Sequence, residues 1–335
     1  MKAPVHIAVL GATGAVGVEV LKTLERRNFP VRKLTLLASE RSVGKKMKFK
    51  GQDVTVEQVN PESFKGVDVA IFSAGATRSR EFAPHAIKAG CVVVDNSSAF
   101  RMDADIPLVV PEVNPGDIKK HKGLIANPNC SAAILAVPLW PLHQAAKINR
   151  IVVSTYQAAS GAGARAMAEL ENQSRDILDG KPAKKEILPH QIAFNVFSHN
   201  ARIQENGYNE EENKMVEETR KMFHEPKLAI CPTCVRVPVY RAHTESVVIE
   251  TERKLTAAEA RKVLLKAPGV KVVDDREKNY FPMPIDATNL LEVLVGRIRE
   301  DDTAQNGLAL FISGDQLLKG AAWNAVQIAE MLLEK

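Results

Sequence analysis

The chain has 335 residues, 45% of them hydrophobic and 25% charged, with 45 Lys and Arg against 40 Asp and Glu. That balance suits a globular protein with room for two cores, and a net charge of +5 with mixed signs argues against nucleic acid while suiting an anionic small molecule. No apolar stretch reaches membrane-span length, four cysteines make no disulfide framework, and Met1–Val5 runs straight into a strand pattern, so a cytoplasmic, reduced protein without a membrane partner is expected.

Residues 5–10 form a short apolar run that passes at once into Gly11-Ala-Thr-Gly14-Ala-Val-Gly17, and a helical pattern follows from Val18 to Arg27. Strand, glycine turn and helix together read as a dinucleotide fingerprint, although the spacing is G-x-x-G-x-x-G rather than G-x-G-x-x-G. A second strand, Lys33 to Ala38, ends in Ser39-Glu40-Arg41-Ser42. An acid commonly ends this strand where NAD is bound. Here Ser39 and Ser42 can hydrogen-bond and Arg41 can pair with a 2′-phosphate, which favours NADP, with Glu40 as the dissenting charge. Further β patterns fall at 53–59 and 68–73, and Ser73-Ala-Gly75 is a second strand-to-glycine turn placed to line a nicotinamide. A helix over 78–89 and a strand over 91–95 lead to the polar loop Asn96-Ser-Ser-Ala-Phe-Arg101, where Arg101 is a candidate anion anchor.

Asn127-Pro-Asn-Cys130-Ser131 then precedes an Ala-rich apolar run, 132–146, that reads as a helix. A cysteine at a helix N-terminus is favoured as the thiolate, the nucleophilic form. Residues 151–157 read as a strand, 158–163 as a small-residue loop, 164–179 as a helix and 180–210 as irregular. A charged helix opens at Glu210, and 230–250 is β in pattern, carrying Arg236 and His243. A helix (256–266), strands near 270–273, 290–299 and 307–312, and a long amphipathic helix from Gly314 to Leu333 complete a mixed sheet. Cys231-Pro-Thr-Cys234 has no second pair to complete a tetrahedral site, and residues three apart on a strand face opposite ways, so no metal is expected.

A nucleotide fold with a helix-capping cysteine, a later histidine and several arginines points to one chemistry. A thiolate attacks an aldehyde, the hemithioacetal gives hydride to nicotinamide, and a second nucleophile cleaves the thioester. Such chemistry needs a low-pKa thiol, a base near neutrality and oxyanion donors. The motifs Gly11–Gly17, Asn96–Arg101, Asn127–Ser131, Tyr156–Gly163, Arg236–Val239 and Arg241–His243 resemble the aspartate-semialdehyde dehydrogenase family, in that family's order and over nearly the whole chain.

The resemblance implies an α/β protein: a Rossmann-type NADP-binding domain, 1–126 together with 317–335, and an α/β mixed-sheet catalytic and dimerisation domain, 127–316. It implies NADPH-dependent reduction of 4-phospho-aspartate to aspartate semialdehyde with release of phosphate, toward lysine, methionine, threonine and diaminopimelate, by a homodimer. By the same resemblance Cys130 is the thioester nucleophile, His243 the acid/base and Gln157 the residue orienting substrate. Arg236 grips the α-carboxylate, Glu211 faces the α-ammonium with Glu210 and Glu212 beside it, and Arg101 and Lys214 bind phosphate. Cofactor contacts fall at Thr13, Gly14, Ala15, Val16, Arg41, Ser42, Ser160, Gly161 and Gln316. Two alternatives stand beside this reading. One is N-acetyl-γ-glutamyl-phosphate reductase, which uses the same thioester chemistry on an acylated amine and has no need of Glu211. The other is a nucleotide-binding relative without catalysis, which would lack the cysteine or the histidine.

Overall fold

The computed structural model describes residues 3–333. They divide into two compact units, one running up to Asn129 and resuming at Ala321, the other Cys130–Gly320.

The first unit runs β1 (Val5–Leu10), α1 (Ala15–Arg26), β2 (Val31–Ala38), β3 (Lys46–Phe49), β4 (Gln52–Gln58), β5 (Val69–Phe72), α2 (Ala76–Lys88), β6 (Val92–Asp95) and β7 (Leu124–Ala126). Its sheet has the order β3-β4-β2-β1-β5-β6-β7, parallel except where β3 meets β4. Without β3 this is the strand order of a Rossmann sheet. The central strands are continuous apolar runs because both faces are covered, as parallel sheets require. The β3–β4 hairpin was hidden in the sequence by the alternating lysines of Lys46-Met-Lys-Phe49; Lys50 and Gly51, both at positive φ, make its turn.

The second unit runs α3 (Cys130–Ala146), β8 (Ile148–Gln157), α4 (Ala164–Leu178), β9 (Phe197–Ser198), α5 (Glu210–Phe223), β10 (Ala229–Arg236), β11 (His243–Thr251), α6 (Ala257–Leu264), β12 (Val270–Val272), α7 (Pro284–Ala287), β13 (Val293–Asp301) and β14 (Gly307–Gly314). They form a mixed sheet of order β12-β13-β14-β11-β8-β10-β9. Helix α3 lies on one face, against β8, β11, β13 and β14. It is apolar all round, and Ser131 to Leu139 are buried without exception. The irregular stretch 180–210 has side chains in place of a ladder. Glu169 on α4 accepts the N–H groups of Glu186, Ile187 and Leu188, and Gln173 accepts those of Ile192 and Ala193.

The long amphipathic helix expected from Gly314 to Leu333 is not formed. Gly314 ends β14, a wide π turn spans Leu318–Ala322, and the C-terminal helix is Trp323–Leu332. Residues 315–326 are all buried, so the segment has no polar face. In the first unit the C-terminal helix packs on α1, with Arg27 over the Trp323 ring at 4.8 Å and paired to Glu330 at 3.0 Å.

Candidate active site

The first unit builds a ligand cradle from backbone. Gly11 has φ +87°, and a Cβ there would lie 2.3 Å from the Ser73 carbonyl oxygen; one on Gly17 would lie 2.3 Å from that of Gly11. Only glycine permits these approaches. Helix α1 begins at Ala15 with Gly14 as its cap, with no side-chain cap and no acid in its first turn. Its leading N–H groups therefore suit a pyrophosphate, so the residues present fit a dinucleotide. Thr13 Oγ1 donates to Ser42 Oγ at 3.2 Å, which ties the glycine turn to the turn after β2. Ser39, Glu40 and Arg41 are exposed on that turn, Ala15 and Val16 are half-buried, and Ser73 and Gly75 join β5 to α2.

The loop after β6 is fixed from inside. Asp95 accepts from the hydroxyls of Ser79 and Ser97, both at 2.7 Å. Arg101 is buried, not a surface cation: Nε donates to the Asn127 carbonyl at 2.9 Å and Nη2 to that of Asn96 at 2.8 Å.

In the second unit the candidate residues share one row of the sheet. Arg236 pairs with Gln157, His243 pairs with Gly314, and the neighbouring pair Thr244–Tyr156 sets His243 beside Gln157. All three side chains are at most 3% exposed. Cys130, half-buried, is the first residue of α3 on the same sheet face. Gln157 Nε2 donates to Ser131 Oγ at 2.8 Å and to Glu211 Oε1 at 3.1 Å, and Glu211 pairs with Lys214 at 3.2 Å. Of the three glutamates that open α5, Glu210 is exposed and Glu212 caps the helix through the Asn209 N–H and receives the Cys234 N–H. Glu211 is the one turned to Gln157.

Arg236 Nη1 donates to the Ala158 carbonyl at 2.9 Å, and Nη2 donates to His199 Nε2 at 2.8 Å. Burial holds the Arg236 pKa below its ordinary value, while the neighbouring Glu211 acts the other way. The Ala158 N–H donates to His243 Nδ1 at 3.0 Å. That bond leaves the proton of the neutral ring on Nε2 and disfavours an imidazolium, in which both nitrogens would be donors. Burial first, and Arg236 second, push His243 down to about 3. Without a ligand the ring is thus held neutral, with a donor at Nε2.

Two glycines let the chain close on these groups. A Cβ on Gly161 would stand 3.1 Å from His243 Nε2 and 3.2 Å from Arg236 Nη1, and one on Gly320 would stand 2.6 Å from the Cys130 Cβ. Ser160 and Gln316 are buried and bonded to each other, and Gln316 Oε1 also accepts the Ala242 N–H at 2.9 Å, so they brace the loops around the row. Sequence reasoning missed His199, Ser131 and Gly320. His199 sits in a stretch without periodicity, and only the pairing of β9 with β10 brings it to Arg236. Cys231 is exposed and Cys234 buried, and among the described residues no cluster of three or more His, Cys, Asp or Glu could hold a metal ion.

Two family models match: semialdehyde dehydrogenase, NAD binding domain, over residues 6–121, and semialdehyde dehydrogenase, dimerisation domain, over 139–319. The chain is 55% identical to an aspartate-semialdehyde dehydrogenase of Synechocystis, across 100% of this chain and 99% of that one. It is 51% identical to the Bacillus subtilis protein of the same name, across 98% and 97%. Among solved structures, aspartate semialdehyde dehydrogenase II of Vibrio cholerae complexed with ASA superposes with a TM-score of 0.97 at 44% identity, covering 100% of this chain and 99% of that one. The Candida albicans enzyme with NADP superposes with a TM-score of 0.77 at 25% identity, covering 98% of each.

Proposed function

The chain belongs to the aspartate-semialdehyde dehydrogenase family, an oxidoreductase family of amino-acid biosynthesis with a nicotinamide-binding domain, and on that premise we propose that it reduces 4-phospho-L-aspartate to L-aspartate 4-semialdehyde with NADPH through a thioester on Cys130. The observation that carries this reading is the position of Cys130. It heads α3 on the sheet face where Arg236, Gln157 and His243 form a row, and the next residue, Ser131, accepts a hydrogen bond from Gln157.

The Cys130 sulfur attacks the acyl carbon of the phosphoanhydride. The S–C bond forms, the C–O bond to phosphate breaks, and phosphate leaves with the electron pair. Bound NADPH would supply hydride to the thioester carbon. His243 Nε2–H donates to the oxyanion that develops there, in water-poor surroundings where such a donor is worth most. Collapse of the oxyanion breaks the C–S bond and returns the electron pair to the Cys130 thiolate. His243 holds its proton throughout, in keeping with a neutral ring fixed by Ala158. Arg236 takes the α-carboxylate with its planar fork, Glu211 the α-ammonium, and Gln157 orients the acyl group. Phosphate is assigned to Arg101 and Lys214. Cofactor contacts are assigned to Thr13–Val16, Ser39, Arg41, Ser42, Ser73, Gly75, Ser160, Gly161 and Gln316, with 1–126 and 317–335 as the cofactor domain and 127–316 as the catalytic and dimerisation domain. NADP rather than NAD follows from Arg41 and the absence of an acid at Ser39, and the Candida albicans neighbour is described with NADP.

A homodimer is proposed on two supports. The family model over 139–319 is a dimerisation domain, and the sheet face away from α3 carries the exposed Tyr156, close to Phe311 with ring centroids 6.5 Å apart. Sedimentation should give twice 36.7 kDa. The activity test is phosphate-dependent NADP reduction with aspartate semialdehyde beside N-acetylglutamate semialdehyde. Turnover of the first alone supports the proposal, and preference for the second would replace it.

A further inference from the structure

Side chains on the α3 side of the second sheet fall into rows, because successive residues of a strand face opposite ways. One row is the candidate site. One step along, Cys234 pairs with Thr155, Thr155 with Glu245, and Glu245 with Ile312. The next row is Pro232, Val153, Val247 and Leu310, apolar throughout. Glu245 therefore stands between the candidate site and the hydrophobic core.

Glu245 is 0% exposed, and neither carboxyl oxygen has a hydrogen-bond partner. Other buried carboxylates are held. Asp95 is held by two hydroxyls, Glu169 by three N–H groups, Glu212 by two, and Asp315 by Arg241 and the N–H groups of Asn289 and Leu317. The Thr155 hydroxyl opposite Glu245, whose other neighbour is the Cys234 thiol, and Gln157 Oε1 one row away are likewise buried, and neither is fully satisfied. The orientation of the Gln157 amide is set by Glu211, whose ionised oxygens only accept, so Oε1 needs a donor from elsewhere. Three groups on adjacent positions of one face are the polar lining that an internal water requires.

We propose that Glu245 is a positioning residue, joined with Thr155 to the carbonyl end of Gln157 by one buried water. Burial raises the Glu245 pKa well above its ordinary value, which favours the protonated carboxyl with an O–H to donate. The titratable groups on the elements packed here include the half-buried Cys130 and the buried His143 on α3, Glu211, Glu212 and Glu218 on α5, Cys234 and Arg236 on β10, and His243 on β11. An apolar residue would fill the same place at lower cost to stability, which is why a role in the site is inferred.

The inference rests on the proposed role of Gln157, and the test separates the two. E245Q keeps a donor and an acceptor, whereas E245L and T155V each remove one arm. E245Q should keep kcat within about threefold, while E245L and T155V should lower it about tenfold or more with KM for phosphate little changed. In infrared difference spectra at pH 7, the band of a protonated carboxyl should be present in the wild type and absent in E245Q. Near-wild-type kcat in both E245L and T155V would overturn the proposal, as would absence of that band. If E245L does not fold, T155V decides alone. Unchanged kcat in Q157A would refute the role of Gln157; a loss in Q157A with none in T155V would refute only the water link.

Discussion

The two units make binding sites from different materials. The first uses backbone: two glycines packed so closely that neither has room for a Cβ, and an open helix N-terminus. Its interior polar groups are bonded, as with His6 to Gly66 and Thr35, and among the described residues its buried unpartnered side-chain atoms are confined to the amides of Asn96, Asn127 and Asn324. The second unit uses side chains, and it leaves Arg236 Nε, His243 Nε2, Gln157 Oε1 and both oxygens of Glu245 buried without partners. Backbone donors bind a phosphate at little cost to the fold. Directed side chains cost stability, because each is desolvated without a compensating bond from the fold. Chemistry belongs on the second kind of surface and generic cofactor affinity on the first.

The sharpest way to break that contrast is Cys130→Ser, which should lower turnover by about three orders of magnitude or more with the melting temperature and NADPH binding preserved. Activity within about tenfold of wild type would remove Cys130 from the chemistry. Arg236→Lys keeps charge but loses the fork that spans Ala158 and His199, so kcat/KM for aspartate semialdehyde should fall about a hundredfold in steady-state assays. Lys214→Ala should raise KM for phosphate about tenfold and affect the aldehyde less. It is a cleaner probe than Arg101→Ala, which would also strand the carbonyls of Asn96 and Asn127. On the first unit, Arg41→Ala should weaken NADP by about 1.5–3 kcal/mol and leave NAD unchanged in fluorescence titrations. Equal weakening of both cofactors would mean that Arg41 does not read the 2′-phosphate.

Stability should also depend on pH. Burial holds His243 down at about 3, against 6.5 for a free imidazole, so its contribution is complete above about pH 6.5 and is lost as pH falls toward 3. Thermal stability should therefore fall as pH is lowered through that window, and His243→Asn should flatten the dependence. Glu245 acts oppositely: its contribution is complete below pH 4.5 and declines as pH rises, so E245Q should gain stability over wild type between pH 5 and 8.

The contrast also explains what could be read from the chain. The glycine turn is local, and Gly11, Gly14 and Gly17 announce it in seven residues. Cys130 was legible because its helix follows directly in sequence. The row of Arg236, Gln157 and His243 depends on register between β10, β8 and β11, which no local pattern states; the family motifs supplied those residues instead. His199 and Glu245 belong to no motif singled out beforehand and emerge only from strand pairing. The C-terminal segment was misread as amphipathic because its few polar residues, Asp315, Gln316, Lys319 and Asn324, are buried rather than exposed.

The most direct test of the central claim is a rapid mix of the enzyme with aspartate semialdehyde and NADP in phosphate-free buffer, followed by peptide mass analysis. A burst of one NADPH per subunit, with the aspartyl group on the peptide containing Cys130 and its discharge on adding phosphate, is the expected result. Full turnover without phosphate, or an acyl group on any other residue, would contradict the thioester mechanism.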